Sequence, residues 1–278
     1  MMKQSSFTID DIRIEVLSRI QVSPEIFDSC DVAKLQVSEQ IVRKFYDPKL
    51  LNNDSNFEHV INCVLNFLLW RSSEAINDIT SDDFPSIFYS STLVGLGRET
   101  SDSYSSPVGF VRGNIYRRFP ELTASFGHFL VFLLEQLERL AESGQAGLVI
   151  DLRSASLSSV DISLCATIIP TVINFYPNLF KYVLIVDMPF LLRATASLAL
   201  RTMPAEYRRL IRFIDRKQLY SRFSLDQLPT YLGGRVNRLD LSQLEPRDTI
   251  SLKRFADKHA ISQQTVNAAC QYFNSIQS

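Results

Sequence analysis

Two aspartates stand where α/β proteins collect reactive groups. Asp151 closes the apolar run Gly147–Asp151 (GLVID), and Asp187 closes Tyr182–Asp187 (YVLIVD). A carboxylate at the carboxyl end of a strand can serve acid–base work or ligand binding. No second group stands beside either to complete a catalytic set. The sequence has no nucleophile elbow, no phosphate loop and no zinc-helix signature. Gly95 and Gly97 begin like a dinucleotide loop, but the third glycine is missing and a polar stretch follows. His59, His128 and His259 lie far apart in helical patterns, and Cys30, Cys63, Cys165 and Cys270 lack metal-ligand spacing. The aspartates therefore read as caps of the loops after their strands. The chain reads as a non-enzyme with no cofactor and no metal. Its cysteines read as small buried apolar groups in a reducing, cytoplasmic compartment.

Two other features carry more chemistry. Within Pro189–Met203, Phe190, Leu191, Leu192, Ala194, Ala196, Leu198, Ala199 and Leu200 leave a polar stripe of only Arg193, Ser197 and Arg201. So wide an apolar face suits the lid of a hydrophobic cavity or a membrane interface. A packed crossover helix accounts for the same pattern. The second feature is charge. Between Arg193 and Arg222, eight basic residues are set against only two acids, in a chain of net charge -1. Arg201, Arg208, Arg209, Arg212, Arg216 and Lys217 are in this band. Anionic lipid attracts such residues by ~1 kcal/mol each, and a solvated helix face is the plain alternative. The band lacks interleaved aromatic rings on which bases stack, so nucleic acid is not expected.

These residues need a scaffold. The 278 residues are 46% hydrophobic and 21% charged, enough for a large core and unlike a disordered chain. No signal peptide is legible, and no apolar run approaches the ~20 residues of a membrane span. Residues 1–82 show helical periodicity at Ile12, Ile14, Val16, Leu17 and Ile20, again at Val37–Phe45, and over Phe57–Trp70. A helical N-lobe is predicted there. Phe88–Val94 and Val108–Ile115 read as paired strands around a polar loop, Arg98–Ser106. A helix follows over 121–143. Apolar strands then recur at 147–152, 182–187 and 210–214 with helices between, the pattern of βαβ units in a parallel sheet. Ser158 with Asp161 reads as a capping pair for the helix after the first of these strands. Residues 236–278 form a helical extension. Its Ser251–Phe273 stretch has helix-turn-helix spacing, but Gln263–Phe273 lacks Lys and Arg. It reads as a structural cap or a docking element for a protein partner.

The ordered set GLVID, then Phe175-Tyr-Pro-Asn-Leu179, then YVLIVD with Met188-Pro189, then Leu228-Pro-Thr-Tyr-Leu-Gly-Gly234 resembles the CRAL-TRIO lipid-binding family over residues 84–235. The Leu68-Leu-Trp-Arg71 end of the N-lobe is similar to that family's helical N-lobe. The resemblance implies an α/β fold: a mostly parallel mixed sheet (residues 83–235) with a hydrophobic pocket under a gate helix, after the N-lobe. Pro189–Met203 falls on the gate. The implied function is a soluble lipid-binding or transfer protein docking peripherally on anionic membranes through the basic band. The implied pocket takes Ile150, Leu152, Leu184 and Val186 from the sheet. Strand alternation leaves Val183 open in place of Leu184, and Ile185 in place of Val186. Ile169, Val172 and Ile173 and the gate residues Leu191, Leu192, Ala194 and Leu198 complete it. Phosphoinositides are among the family's lipids. Here, however, Asn178 replaces the acidic residue that follows Tyr-Pro in phosphatidylinositol binders, and Leu210 replaces a headgroup lysine. Ala146 and Leu148 stand where phosphatidylcholine binders have hydroxyls. Val149–Ser154 also resembles the strand–loop of STAS-type regulatory domains, with Ser154, Ser156, Ser158 and Ser159 clustered there. An interaction or scaffold module is thus the second reading.

Overall fold

The structure, a computed structural model, describes residues 7–47, 54–101, 104–141, 144–156, 160–237, 244 and 249–277. The chain divides into two units: Met1–Ile79 with Pro170–Asn178, and Thr80–Ile169 with Leu179–Ser278.

The first unit is built from α1 (Ile9–Ile20), α2 (Ser29–Val37), α3 (Gln40–Arg43) and α4 (Asp54–Ser73). Thr8 starts α1 with a reciprocal capping box. Its Oγ1 accepts from the Asp11 N–H, and its own N–H donates to the Asp11 carboxylate. Ile12, Val16 and Ile20 turn one stripe inward onto Leu35, Val42, Ile61, Val64 and Leu68. Ile14 points to solvent instead, because it lies off that stripe. Trp70 and Arg71 have separate tasks. The Trp70 ring stacks on Phe175 at 4.2 Å between centroids. Arg71 Nε donates to Asp31 Oδ2 at 2.7 Å with both side chains buried, tying α4 to α2. Arg71 Nη2 also donates to Asn77 Oδ1.

The second unit centres on a five-stranded sheet in chain order: β1 (Val94–Ser101), β2 (Tyr104–Val111), β3 (Ala146–Asp151), β4 (Phe180–Val186) and β5 (Ile211–Ile214). β1 and β2 are antiparallel, and β2 to β5 run parallel. Between them lie α5 (Ser86–Ser90), before β1, then α6 (Thr123–Ala141), α7 (Ile162–Phe175), α8 (Phe190–Thr202) and α9 (Ala205–Leu210). After β5 come α10 (Arg216–Arg222), α11 (Leu252–Lys258) and α12 (Gln263–Gln277). The expected parallel sheet with crossover helices is thus present. Asp161 caps α7, accepting from the Leu164 N–H; Ser158, its expected partner in the capping pair, lies outside the described residues.

The hairpin differs from expectation. Phe88 belongs to α5, and Arg98–Ser101 and Tyr104–Ser106 are ladder residues rather than loop. One of them, Glu99, centres an ion cluster. Buried Glu99 meets Lys181 Nζ at 3.0 Å and Arg222 Nε at 3.1 Å, and accepts from the Tyr182 hydroxyl at 2.9 Å. The Arg222 guanidinium also covers the Tyr182 ring at 3.8 Å.

The C-terminal helices belong to the second unit's core. Leu252, Phe255, Ala256, Val266, Ala269 and Phe273 are buried. Glu121 accepts from the Ser262 N–H and hydroxyl and from the Thr265 hydroxyl, and Tyr272 donates to the Ile115 carbonyl. These contacts pack α11 and α12 against the second unit.

Two outcomes test these polar anchors. Burial pushes the Asp31 carboxyl up, but Arg71, with Asn77 and Lys34, outweighs it and holds the group below its ordinary value. The resulting stabilisation is complete above the unfolded carboxylate value of about 4 and is lost as pH falls through the lower folded one. Urea midpoints measured against pH should fall on that acid side, and less steeply in Asp31→Asn. Glu99→Ala leaves two cations facing a buried gap and should cost about 3–5 kcal/mol by chemical denaturation.

Candidate functional site

The faces of the sheet differ in filling. In the parallel register Val149 pairs with Leu184, Leu148 with Val183 and Ile150 with Ile185, and paired residues share a face. On one face Val108, Phe110, Val149, Leu184 and Val186 form a closed core with Leu219, Phe223, Leu228 and Leu232. On the other, Leu148, Ile150, Val183 and Ile185 are only half-buried although they sit on central strands, as is Leu152 just past the end of β3. This second face is the one covered by crossover helices. A Cβ on Gly109 would lie 3.2 Å from Leu148 and 3.8 Å from Leu137 of α6. Parallel strands in chain order with right-handed crossovers put the other connecting helices on that same side.

This corrects the expected lining. Leu184 and Val186 face the closed core, and Val183 and Ile185 stand beside Ile150. Alternation fixes this once Ile150 is placed. Ile150, Leu152 and Ile169 are half-buried, as a lining requires. Val172 and Ile173, also half-buried, lie in the stretch of α7 that belongs to the first unit.

The α8 helix also divides differently. Leu192 is 3% exposed, whereas Phe190 is 83% and Leu191 77% exposed. Ala194 is exposed too, and the Leu198 side chain lies outside the description. Successive helical residues differ by ~100° around the axis, so Leu191 cannot share the inward face of Leu192. Leu191 and Ala194 thus belong to the outer surface. Ile162, at the start of α7, is a further large exposed apolar residue. Helices that follow parallel strands begin at the carboxyl edge of the sheet, so Ile162, Phe190 and Leu191 mark one end of this face.

Arg193, Arg201, Arg208, Arg209, Arg212 and Lys217 are exposed, as a surface band requires. Arg216 is not part of it. Its Nε donates to Asp187 Oδ2 at 3.0 Å, and it is half-buried. Arg222 is engaged by Glu99.

Backbone geometry explains the closing Leu-Pro-Thr-Tyr-Leu-Gly-Gly. Leu228 and Leu232 are buried in the closed core. Gly233 takes φ +86°, and any Cβ on Gly234 would strike the Leu228 carbonyl. The Val236 N–H then donates to Leu228 O and the Thr230 N–H to Val236 O, locking the turn.

Of the remaining candidates, only Cys63 and His59 meet among the described residues, one turn apart on α4 with Sγ 3.7 Å from Nε2, and burial pushes that thiol up rather than activating it. All four cysteines are free, and Cys30 is exposed rather than buried. His59, His128 and His259 are exposed and separate, and His259 stacks on Phe255. Among the described residues no His, Cys, Asp and Glu side chains cluster as metal ligands, and no helix is long and apolar enough to cross a membrane. Asp151 Oδ1 accepts from the Arg153 N–H at 3.0 Å, as a loop cap does.

Among solved structures, the crystal structure of Sfh5 is similar. It superposes with a TM-score of 0.62 at 14% identity, over 92% of this chain and 99% of that one. At that identity the likeness speaks for the fold. The CRAL/TRIO domain family matches residues 96–234, half of the chain, from the third residue of β1 to the closing glycines. With the mixed sheet, its crossovers and the glycine turn all inside that span, the chain belongs to the CRAL/TRIO domain family, whose members bind lipids or other hydrophobic small molecules.

Proposed function

We propose that this chain carries one lipid between the sheet and its crossover helices, working from the cytoplasm as a carrier rather than an enzyme. One observation carries the reading. Apolar side chains on the two central strands are half-buried on the helix-covered face and closed on the other. A sheet packed for stability alone fills both faces. The lining we infer is Leu148, Ile150, Leu152, Val183, Ile185 and Ile169, with Leu192 from α8. Acyl chains suit such a surface, since each buried CH₂ gains ~0.8 kcal/mol. Within the family, the local sequence resembles the amino-terminal part of motile sperm domain-containing protein 2.

Release requires another partner for the lid. Phe190 and Leu191 at the start of α8, with Ile162 nearby along the edge, form an apolar tip that a bilayer would accept. Arg201, Arg208, Arg209, Arg212 and Lys217 supply the attraction to anionic lipid. Nothing in the apolar lining selects a headgroup.

Uptake of a fluorescent phospholipid from vesicles tests the cavity. Ile150→Trp adds an indole to the inferred lining and should cut uptake roughly tenfold or more, because ~1.4 kcal/mol of lost burial already gives that factor. Leu184→Ala, on the closed face, should lower stability by about 2–5 kcal/mol and leave uptake by the folded protein unchanged. The opposite pattern, or no uptake by the unmodified protein, would return the chain to the scaffold reading. Vesicle co-sedimentation tests docking. Each of Arg201, Arg208, Arg209 and Arg212 changed to Gln should weaken binding to phosphatidylserine vesicles about fivefold at low salt, the equivalent of ~1 kcal/mol. Arg222→Gln, in the Glu99 cluster, should leave vesicle binding unaltered.

A further inference from the structure

The sheet holds a polar assembly that the lipid reading does not use. Its register sets Val111 beside Ile150 and Asp151 beside Val186, and the Asp187 N–H donates to the Ile214 carbonyl at 3.0 Å. The strand ends therefore deliver Arg112, Asp151, Asp187 and, one residue past Asp215, Arg216 along one edge. Arg112 lies two residues beyond Phe110, and Asp151 two beyond Val149. Both thus stand on the closed-core face, opposite Ile150 and Val183. Tyr231 lies against them. The Arg112 guanidinium is 4.6 Å from its ring centroid, and Arg153 Nη2 donates to its carbonyl at 3.3 Å.

The edge is held in place but not satisfied. Arg112 Nη1 donates to Thr92 Oγ1 at 2.8 Å, Asp151 Oδ1 takes the Arg153 N–H, and Arg216 Nε holds Asp187. Yet Arg112 Nε, Asn114 Oδ1, Asp151 Oδ2 and Arg216 Nη2 are buried with no hydrogen-bond partner among the described residues. The nearest cation to Asp151 Oδ2 is Arg153 Nη2 at 3.9 Å, beyond hydrogen-bond reach. Asp151 is 1% exposed. A buried polar atom left unpaired costs about 1–3 kcal/mol. The same edge also carries Thr92, Ser154 and Asp187 at φ of +58°, +60° and +50°. Left-handed backbone at non-glycine residues costs about 1–3 kcal/mol each and gathers where geometry serves a ligand.

The unmet groups specify a chemistry. Two guanidinium donors call for an oxyanion, but an acceptor carboxylate on the same edge repels one that lacks a proton. A phosphate with a P–OH meets both demands. We propose that this edge binds a protonated phosphate group, with Arg112 Nε and Arg216 Nη2 donating to its oxygens and its P–OH donating to Asp151 Oδ2. Burial pushes the Asp151 carboxyl up against the pull of the Arg153 N–H and guanidinium, so a ligand that brings a donor to it relieves a real cost. The site lies on the face away from the inferred lipid cavity, and either can fail without the other.

The test uses inorganic phosphate and sulfate, two tetrahedral oxyanions of which only phosphate keeps a proton at neutral pH. Calorimetric titration of the full chain at matched ionic strength should show phosphate binding at least about tenfold tighter than sulfate, the factor given by one hydrogen bond of ~1.4 kcal/mol. Arg112→Gln should weaken phosphate by a similar factor. Asp151→Asn, whose amide can donate, should bring the phosphate-to-sulfate ratio close to one while circular dichroism reports an intact fold. Equal binding of both anions by the unmodified chain, no phosphate binding, or a ratio that survives Asp151→Asn would overturn the proposal. Vesicles of phosphatidic acid, a phosphomonoester lipid, then identify the source. Displacement of bound phosphate points to a lipid headgroup, and its retention to free phosphate or a soluble monoester; both outcomes uphold the assigned chemistry.

Discussion

Parallel strands taken in chain order, with right-handed crossovers, must place their connecting helices on one side of the sheet. That constraint gives this protein two unlike faces. The far face is left to the segment after β5, and Leu219, Phe223, Leu228 and Leu232 fill it down to a closed core. The near face is roofed by helices whose spacing is set by their own contacts as well as by the strands. There, central-strand residues such as Ile150 and Val183 stay half-buried. The fold is thus closed on one side, and on the proposed reading it holds its guest on the other. Gly234, too close to the Leu228 carbonyl for any side chain, fastens the segment that makes the firm side.

Much of this was legible in the sequence. Apolar runs of five or six residues that end in Asp, separated by helical periodicity, announced the parallel sheet, and the ordered motifs pointed to the family. Which strand residues face the guest was not legible. A strand buried on both faces has no polar alternation to betray its parity, and Leu184 is chemically as good a lining residue as Val183. Register across β3 and β4 decides it. The polar run around Glu99 misled for a related reason. Composition alone cannot tell a solvated loop from strands that hold a buried ion cluster, because Lys181 and Arg222 arrive from far along the chain. Arg216 shows the same blindness. In sequence it is one more cation of a basic band, and in the fold it neutralises Asp187 at the strand edge.

As the proposed lid, α8 combines two opposed demands. Leu192 anchors α8 inward, while Phe190 and Leu191 remain in water, each forgoing part of the ~1.5–3 kcal/mol that burial would return. A surface that tolerates this cost is ready to exchange water for bilayer. Around it the exposed arginines add a longer-ranged and salt-sensitive attraction that orients the tip before contact. In the proposed function docking and opening become one event, since a bilayer that accepts Phe190 and Leu191 also offers α8 an alternative to its closed position.

The central claim is that the helix-covered side of the sheet encloses a hydrophobic guest. Native mass spectrometry of the protein as purified from cells, followed by organic extraction, addresses it directly. The account predicts a mass increment of one lipid per chain, lost on extraction and regained after incubation with liposomes. A chain that flies at its bare mass, and still does after liposomes are offered, contradicts it.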